Sequence, residues 1–422
     1  MSETTTESPS ETAAGRRHAG RTGVFGSLCV MVFLVNIGRV IYAPLLEPFR
    51  EAFGASAAAV GLLATLAWLG AAALQIPTGY LLTRFPRHWL ILASGGLLAA
   101  GSVFAATARS LEVLSIGALC MGIASSAYFV AASPLVSELF PARVGRAIGV
   151  HGTSSQAAAV AAPLLVGAFF AVAWPVAAWR ALFIAIALAA VASTAALFVA
   201  ARRATLPTAG KLDRDLRAAL RRQWPIVATG VAIVGVTALV WNGVFNFYVT
   251  YLVEVKGFPE GFARSVLTLL FLAGVPAFAI TGWIADRVRF VPLLLSIVGA
   301  FLLALLALTV VEGTWAILAV TAVMGYVIHS IFPASDTYVL ASVPDENRAS
   351  AYALFTGVMM PLQAAGSAVL GFLVDAGVAF DAAFRLLALG VGVVLVGLVA
   401  LYAAGRLPTG ANGEPRASAD AN

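Results

Sequence analysis

Residues 79–84 read Gly-Tyr-Leu-Leu-Thr-Arg, and residues 282–287, at an offset of 203, read Gly-Trp-Ile-Ala-Asp-Arg. Other identical residues occur at the same offset: Met121-Gly122 lies over Met324-Gly325, and Phe129 lies over Phe332. These identities include residue types that are uncommon in a chain dominated by Ala and Leu, so chance identity does not explain them. The chain therefore consists of two halves with the same order of elements.

Long apolar segments make up each half. The 422 residues are 61% hydrophobic and only 11% charged, whereas soluble domains carry about 25% charged residues. A soluble chain of this size cannot cover that much apolar surface, so the excess must face lipid. Runs long enough to cross a bilayer, about 20 residues, occur at 24–46, 58–81, 89–108, 112–137, 147–173, 179–201, 225–252, 263–285, 290–310, 315–340, 349–374 and 382–404.

These runs predict an all-α membrane protein with twelve transmembrane helices, arranged as two six-helix bundles in a 6+6 pseudo-symmetric repeat. The expected organisation is a disordered cytoplasmic tail (1–23), an N-terminal bundle (24–201), a basic cytoplasmic linker (202–224), a C-terminal bundle (225–404) and a second cytoplasmic tail (405–422). The composition excludes a secreted disulfide scaffold, a disordered regulator and a nucleic-acid-binding domain.

The distribution of Arg and Lys predicts the orientation. If the N-terminus is cytoplasmic, 19 of the 26 basic residues fall on the inner side, six on the outer side and one, Arg39, within the first span. Because cytoplasmic loops carry the excess of Arg and Lys, we expect both termini of a multi-pass cell-membrane protein to be cytoplasmic.

The loop after the second span resembles a signature of the major facilitator superfamily. In that family Gly, three residues, Asp-Arg, one residue, Gly and two basic residues link the second and third helices. The first copy has Thr83 and Pro86 where Asp and Gly are usual, whereas the second copy keeps the acid. The positions that fit are Gly79, Arg84, Arg87, His88, Gly282, Asp286, Arg287 and Arg289. The resemblance implies the family fold over residues 24–404.

The same resemblance implies a cytoplasmic gate. An Asp at this position can meet the positive end of a neighbouring helix N-terminus. We expect Asp286 to latch the fifth span, and Arg84 or Arg287 to pair with Glu138, Asp345 or Glu346. The alternative is that these charges only mark the membrane boundary. The predicted gating residues are Gly79, Arg84, Glu138, Gly282, Asp286 and Arg287.

Two spans carry polar side chains that are candidates for substrate contact. Arg39 is a functional candidate because charge inside a membrane is costly, and Asn36 and Tyr42 are each three residues away on roughly the same helical face. Arg39 could bind a carboxylate or phosphate, or it could extend its head group to the interface. In the seventh span, Asn242, Asn246 and Tyr248 are expected to line a cavity, with bridging of helices as the alternative.

The tenth span contains His329 and Asp336, which are seven residues apart and share a face. Histidine accepts protons near neutral pH, so this pair is the candidate for proton coupling; the alternative is a solvated Asp336 beside a hydrogen-bonded His329. No nucleotide-binding Gly-Lys-Ser/Thr loop, metal-ligand spacing or catalytic set is present in the sequence, which predicts no cofactor, no metal and no enzymatic activity.

The sequence thus predicts a secondary transporter that moves a small organic solute by alternating access, with ion or proton coupling and, because of Arg39, a preference for anions. The alternatives are a proton-driven exporter of amphipathic compounds and, more remotely, a non-transporting membrane sensor. The expected partners are the solute, the lipid bilayer and protons. The protein is expected to be a monomer that binds no nucleic acid.

Overall fold

The computed structural model describes residues 9–82, 84–140, 144–204, 206, 216–285, 287–343 and 345–408, and these are helical with short connections. The first half contains α1 (Pro9–Val40), a 3-10 turn (Ala43–Leu45), α2 (Leu46–Phe53), α3 (Ala57–Ala73), α4 (Gln75–Leu81), α5 (Arg87–Thr107), α6 (Leu111–Leu139), α7 (Val144–Phe170) and α8 (Ala178–Arg203). The second half contains α9 (Leu216–Asn246), α10 (Tyr248–Glu254), α11 (Glu260–Ala285), α12 (Phe290–Val310), α13 (Thr314–Ser342), α14 (Asp345–Asp375) and α15 (Phe380–Ala403).

Eleven helices in the described part of the chain are long and apolar enough to cross a membrane. The twelfth span is divided between α3 and α4, which are interrupted at Leu74. Pro77 lacks the N–H that would bond the carbonyl of Ala73, so a continuous helix cannot pass this point unchanged. The predicted fold class is confirmed, with the second span broken rather than continuous.

Proline also explains why the first span ends earlier than the sequence suggests. Pro44 cannot donate to the carbonyl of Val40, and α1 ends at Val40. The chain continues through the 3-10 turn into α2. Arg39 consequently lies in the last turn of α1, where the carbonyl end of the helix favours a cation.

The internal repeat is visible in how the helices cross. A Cβ atom at Gly122 would collide with the carbonyl oxygen of Ala67, and one at Gly325 would collide with that of Leu270. Both members of the second pair lie 203 residues after those of the first. Each half therefore uses a glycine to bring its second and fourth spans into backbone contact.

A second pair of repeat-related contacts ties the sixth span of each half to its third. Arg180 at the start of α8 donates to the carbonyls of Ala106 (2.8 Å) and Ala108 (2.6 Å). Arg385 at the start of α15 donates to the hydroxyl (3.0 Å) and the carbonyl (3.1 Å) of Thr309. These arginines satisfy carbonyls that the helix ends leave without intrahelical partners.

The two halves meet along α3 with α14 and along α7 with α11. We call the end where α3 begins the Arg50 end, and the end where α4 finishes the Arg84 end. Near the middle of α3, the Ala368 N–H donates to Thr65 Oγ1 (3.0 Å). At the Arg50 end, the Ala58 N–H donates to Asp375 Oδ2 (3.1 Å). Backbone contact is close here too, because a Cβ at Gly371 would collide with the carbonyl of Ala57.

Candidate substrate cavity

A cavity of about 310 Å³ lies between the two halves, at the lower end of the range for small-molecule sites. Its wall combines aromatic rings with a few polar groups from both halves. The lining residues are Asn36, Arg39, Val40, Trp68, Gln156, Ala159, Trp241, Phe245, Phe271, His329, Phe332, Ser335, Asp336, Tyr352, Phe355, Thr356, Met359, Met360 and Gln363.

Arg39 is held in this wall by contacts within the N-terminal half. Its Nη2 donates to Asn36 Oδ1 (2.6 Å), and Asn36 Nδ2 donates to the carbonyl of Ser155 on α7 (2.6 Å). The guanidinium carbon lies 4.5 Å from the centroid of the Trp68 ring and 5.7 Å from that of Phe129. Hydrogen bonding and cation–π contact together fix the plane of the guanidinium group.

Arg39 makes no ion pair with any carboxylate in the described part of the chain, and its Nε is buried without a hydrogen-bond partner. Among the described residues that line the cavity it is the only arginine or lysine. An interior cation without a counterion is unfavourable. The cavity is therefore built to present positive charge at one point.

The C-terminal half contributes an acidic residue to the cavity, Asp336 on α13. Asp336 Oδ1 accepts a hydrogen bond from Tyr352 Oη on α14 (3.1 Å). His329, two turns earlier on α13, has its Nδ1 2.7 Å from the carbonyl oxygen of Gly325 and is 5% exposed. The two residues named from the sequence as a coupling pair thus lie on one wall of one cavity.

Aromatic residues connect the two halves around these polar groups. Trp68 and Phe245 meet edge to face, with their ring centroids 5.8 Å apart. Phe245 also packs against Trp241 (5.5 Å) and Phe271 (5.8 Å). Trp68 and Phe271 occupy equivalent positions in the repeat, 203 residues apart, so both halves contribute an aromatic residue from their second span.

Four other residues proposed from the sequence for substrate contact lie outside the cavity wall. Tyr42 donates to Met121 Sδ (3.3 Å), and Asn242 Oδ1 accepts from Ser367 Oγ (2.8 Å). Asn246 donates to the carbonyl of Asn242 (2.8 Å), and the hydroxyl of Tyr248 lies 2.5 Å from that of Thr321. All four are buried. Asn242 matches the alternative expectation, because its amide bridges α9 and α14.

The described residues among those expected to form the gate lie toward the Arg84 end. Gly79 lies in α4 and Gly282 in α11, whereas Asp286 and Thr83 fall outside the described residues. Glu138 pairs with Arg87 (2.7 Å), which the sequence analysis did not name as its partner. Arg287 Nη1 donates to the carbonyl of Trp283 (2.7 Å), and its guanidinium stacks on the Trp283 ring at 4.0 Å.

Four residues of the cavity wall were not predicted from the sequence. Trp68, Gln156, Tyr352 and Gln363 line the wall, yet in the sequence they are single aromatic or amide residues within apolar runs. The repeat contained a usable signal, because Trp68 lies over Phe271 and both positions are aromatic. For the other three residues, the sequence carries no comparable signal.

Comparisons with known proteins bear on the family and the fold. The sequence model of a family described as Major Facilitator Superfamily matches residues 28–328. The purine ribonucleoside efflux pump NepI of Salmonella paratyphi B (strain ATCC BAA-1250 / SPB7) is 27% identical over 340 residues, covering 78% of this chain and 82% of the pump. The NepI pump of Salmonella enteritidis PT4 (strain P125109) is 26% identical with the same coverage.

Solved structures share the fold at lower identity. A bacterial homolog of the human lysosomal transporter Spinster, in an inward-facing and occupied conformation, superposes with a TM-score of 0.75 and 17% identity, covering 91% of this chain and 96% of the homolog. A mutant of the nucleoside transporter NupG gives a TM-score of 0.75 with 12% identity, covering 90% of this chain and 100% of the transporter.

Proposed function

The chain belongs to the major facilitator superfamily, whose members are membrane transporters, and we propose that it exports a nucleoside or a similar planar, uncharged heteroaromatic solute from the cell. The observation that carries this proposal is the composition of the cavity wall. Trp68, Trp241, Phe245 and Phe271 supply aromatic faces, while Gln156 and Gln363 supply amide donors and acceptors. Flat rings with polar edges suit such a wall.

The charges in the wall support an uncharged solute. Arg39 contributes one positive charge and Asp336 one negative charge from the opposite half. Since the two formal charges offset one another, an uncharged solute with polar edges leaves the site electrically balanced. The curated relatives support the class and the direction, because NepI is described as a purine ribonucleoside efflux pump.

Transport proceeds by alternating access between two six-helix bundles, 24–201 and 225–404, joined by the segment 202–224. The Arg84 end faces the cytoplasm together with both termini, as the positive-inside rule requires. The inter-half contacts at the Arg50 end, including Ala58 with Asp375, close the outer side. Asp336, near the end of α13, and Tyr352, near the start of α14, lie toward the Arg84 end, which supports entry of solute from the cytoplasm.

Protons provide the driving force, and Asp336 together with His329 carries them. A carboxyl and an imidazole on one wall can each gain or lose a proton as the cavity changes its exposure. The protein acts in the cell membrane as a monomer. It performs no catalysis and binds no nucleic acid.

An organic anion is the second candidate substrate. Arg39 favours it, since among the described cavity residues it is the only arginine or lysine and it lacks a counterion there. A planar carboxylate could accept two hydrogen bonds from its guanidinium. The gating role of Gly79, Arg84, Glu138, Gly282, Asp286 and Arg287 is independent of this choice.

The test is a thermal-shift screen of the purified protein against nucleosides, nucleobases and organic anions, because a ligand of the folded state raises the melting temperature. Binding is followed by uptake of the radiolabelled hit into inverted membrane vesicles with an imposed proton gradient. Phe271→Ala should weaken binding, whereas Leu272→Ala, at a neighbouring position that is 53% exposed, should not. Binding of organic anions alone would replace the nucleoside proposal with the second candidate.

A further inference from the structure

Arg39 and Asp336 are two opposite charges that line one cavity from opposite halves of the protein. Neither makes an ion pair with a residue in the described part of the chain. Buried charges without partners are unfavourable, and removing a partner from a buried charge costs more than the pair itself contributes. A ligand that offers an acceptor to one residue and a donor to the other would satisfy both.

Arg39 has N–H groups that the described hydrogen bonds do not use. A guanidinium carries five N–H groups, and the described contacts use one of them, in the bond from Nη2 to Asn36. Nε has no partner. The bond to Asn36 and the stacking on Trp68 at 4.5 Å hold the guanidinium plane in one orientation. The N-terminal half therefore presents an oriented, planar set of donors.

Asp336 provides the complementary acceptors. A carboxylate offers about four lone-pair sites, and one oxygen accepts from Tyr352 at 3.1 Å. Tyr352 reaches it from the neighbouring helix α14, which orients the carboxylate while leaving most of its accepting capacity. Asp336 therefore presents acceptors from the C-terminal half, and Arg39 presents donors from the N-terminal half.

We propose that Arg39 and Asp336 select 6-oxopurine nucleosides over 6-aminopurine nucleosides; this rests on the nucleoside transport proposed above. Arginine pairs bidentately with the O6 and N7 acceptors of guanine. The adjoining Watson–Crick edge of guanine carries the ring N1–H and the exocyclic amino group, both donors, from which a carboxylate can accept hydrogen bonds. Adenine has an amino group where Arg39 requires an acceptor, so it leaves the guanidinium partly unsatisfied.

The same arrangement connects recognition to the transport cycle. A 6-oxopurine bound in this way holds the N-terminal half through Arg39 and the C-terminal half through Asp336. The bound solute thereby adds contacts between the halves that the empty cavity lacks, and a ligand shifts a conformational equilibrium by its differential affinity for the two states. We therefore expect 6-oxopurine nucleosides to favour closure of the two halves around the cavity more than 6-aminopurine nucleosides do.

The experiment measures equilibrium binding of guanosine, inosine and adenosine to the purified full chain by isothermal titration calorimetry. We expect guanosine to bind about tenfold or more tightly than adenosine, the discrimination that a bidentate arginine–base pair gives. Inosine keeps O6, N7 and N1–H but lacks the 2-amino group, so it should fall between them. Arg39→Gln and Asp336→Asn should each reduce the guanosine-to-adenosine ratio to within about twofold, since the amides of glutamine and asparagine both pair well with adenine.

Two matched variants control for charge and for folding. Asp381→Asn removes a carboxylate of the same half that is bonded to Tyr251, and Arg109→Gln removes an exposed arginine. Neither residue lines the cavity, and both variants should keep the wild-type ratio.

If Asp336→Asn does not fold, Tyr352→Phe replaces it and should lower the guanosine-to-adenosine ratio by releasing the carboxylate. Equal affinity of the wild type for guanosine and adenosine would overturn the selectivity while leaving nucleoside transport intact. Absence of binding by all three nucleosides would instead overturn the proposed function itself.

Discussion

Arg50 and Glu254, 204 positions apart in the chain, form an ion pair in which Arg50 Nη1 lies 2.5 Å from Glu254 Oε1. Arg50 belongs to α2 of the first half and Glu254 to α10 of the second. Arg50 also pairs with Glu47 at 3.1 Å. The pair therefore joins the halves at the end that the hydrogen bond between Ala58 and Asp375 also closes.

Glu254→Gln should open the Arg50 end more often. The two side chains are 25% and 39% exposed, and a surface ion pair contributes about 0.2–1 kcal/mol. The open population should therefore rise by up to about fivefold, and less in high salt because the pair is screened. The measurement is maleimide labelling of Ala368→Cys in a background with Cys29 and Cys120 replaced by Ser.

Glu312→Gln is the control for this measurement. Glu312 is an exposed carboxylate just beyond the end of α12, and it makes no ion pair in the described part of the chain. Equal labelling rates in Glu254→Gln, Glu312→Gln and the unsubstituted chain would show that the ion pair does not hold this end closed.

Asn36→Asp should weaken solute binding by giving Arg39 a permanent counterion. The substituted carboxylate would accept the bond that Arg39 Nη2 now donates to the amide, and charge-assisted bonds are roughly twice as strong as neutral ones. We expect about a tenfold loss of affinity, since hydrogen bonds to charged groups contribute about 1.5–3 kcal/mol. Calorimetric binding constants test this, with Asn36→Ala as the control that removes the bond without adding charge; an equal loss in both variants would contradict it.

Gly122→Ala and Gly325→Ala should each destabilise the protein. A Cβ atom at either position collides with a backbone carbonyl of the crossing helix, and overpacking costs about 1–3 kcal/mol. Melting temperatures in detergent check this. Gly96→Ala, at a helical glycine with no atom within 4 Å of its would-be Cβ, should leave stability unchanged or slightly higher. If all three variants melt alike, backbone contact at the crossings is not important for stability.

A membrane-impermeant maleimide should label Glu312→Cys but not Ala209→Cys in intact cells. This follows from the distribution of Arg and Lys, which assigns the basic segment 202–224 to the cytoplasm. Permeabilised cells, in which both positions should react, provide the control. Labelling of Ala209→Cys from outside would reverse the proposed orientation, and with it the proposed side of solute entry.

Adjacent residues in α9 show why the cavity was only partly predictable. Trp241 lines it, whereas Asn242 faces α14 and bonds Ser367. Successive side chains on a helix are about 100° apart, so a small error in the rotation of a helix exchanges a cavity residue for a packing residue. In a helix that is apolar on nearly every side, the sequence has no polar face from which this rotation can be inferred.

Tyr42 illustrates a second reason why the cavity was only partly predictable from the sequence. Spacing of three residues relates Asn36, Arg39 and Tyr42 only while the helix continues, and α1 ends at Val40. Asn36 and Arg39 share the cavity as expected, but Tyr42 packs beside Phe183 in the N-terminal half, with ring centroids 5.8 Å apart. Pro44 gave a sequence signal for this helix end, since it cannot bond the carbonyl of Val40.

The sequence alone determined the properties that depend on local composition and on repetition: the spans, their number, the duplicated halves and the family. These follow from transfer of apolar segments into lipid and from identities in register, neither of which requires knowledge of distant contacts. It also identified Arg39, His329 and Asp336, because charged and titratable groups within apolar spans are costly and therefore stand out. Only the tertiary structure decided which side chains meet, since the cavity forms between halves about 200 residues apart in the chain. The pairing of Asn36 with Arg39, the support of Asp336 by Tyr352 and the contact of Trp68 with Phe245 depend on helix rotations that packing sets.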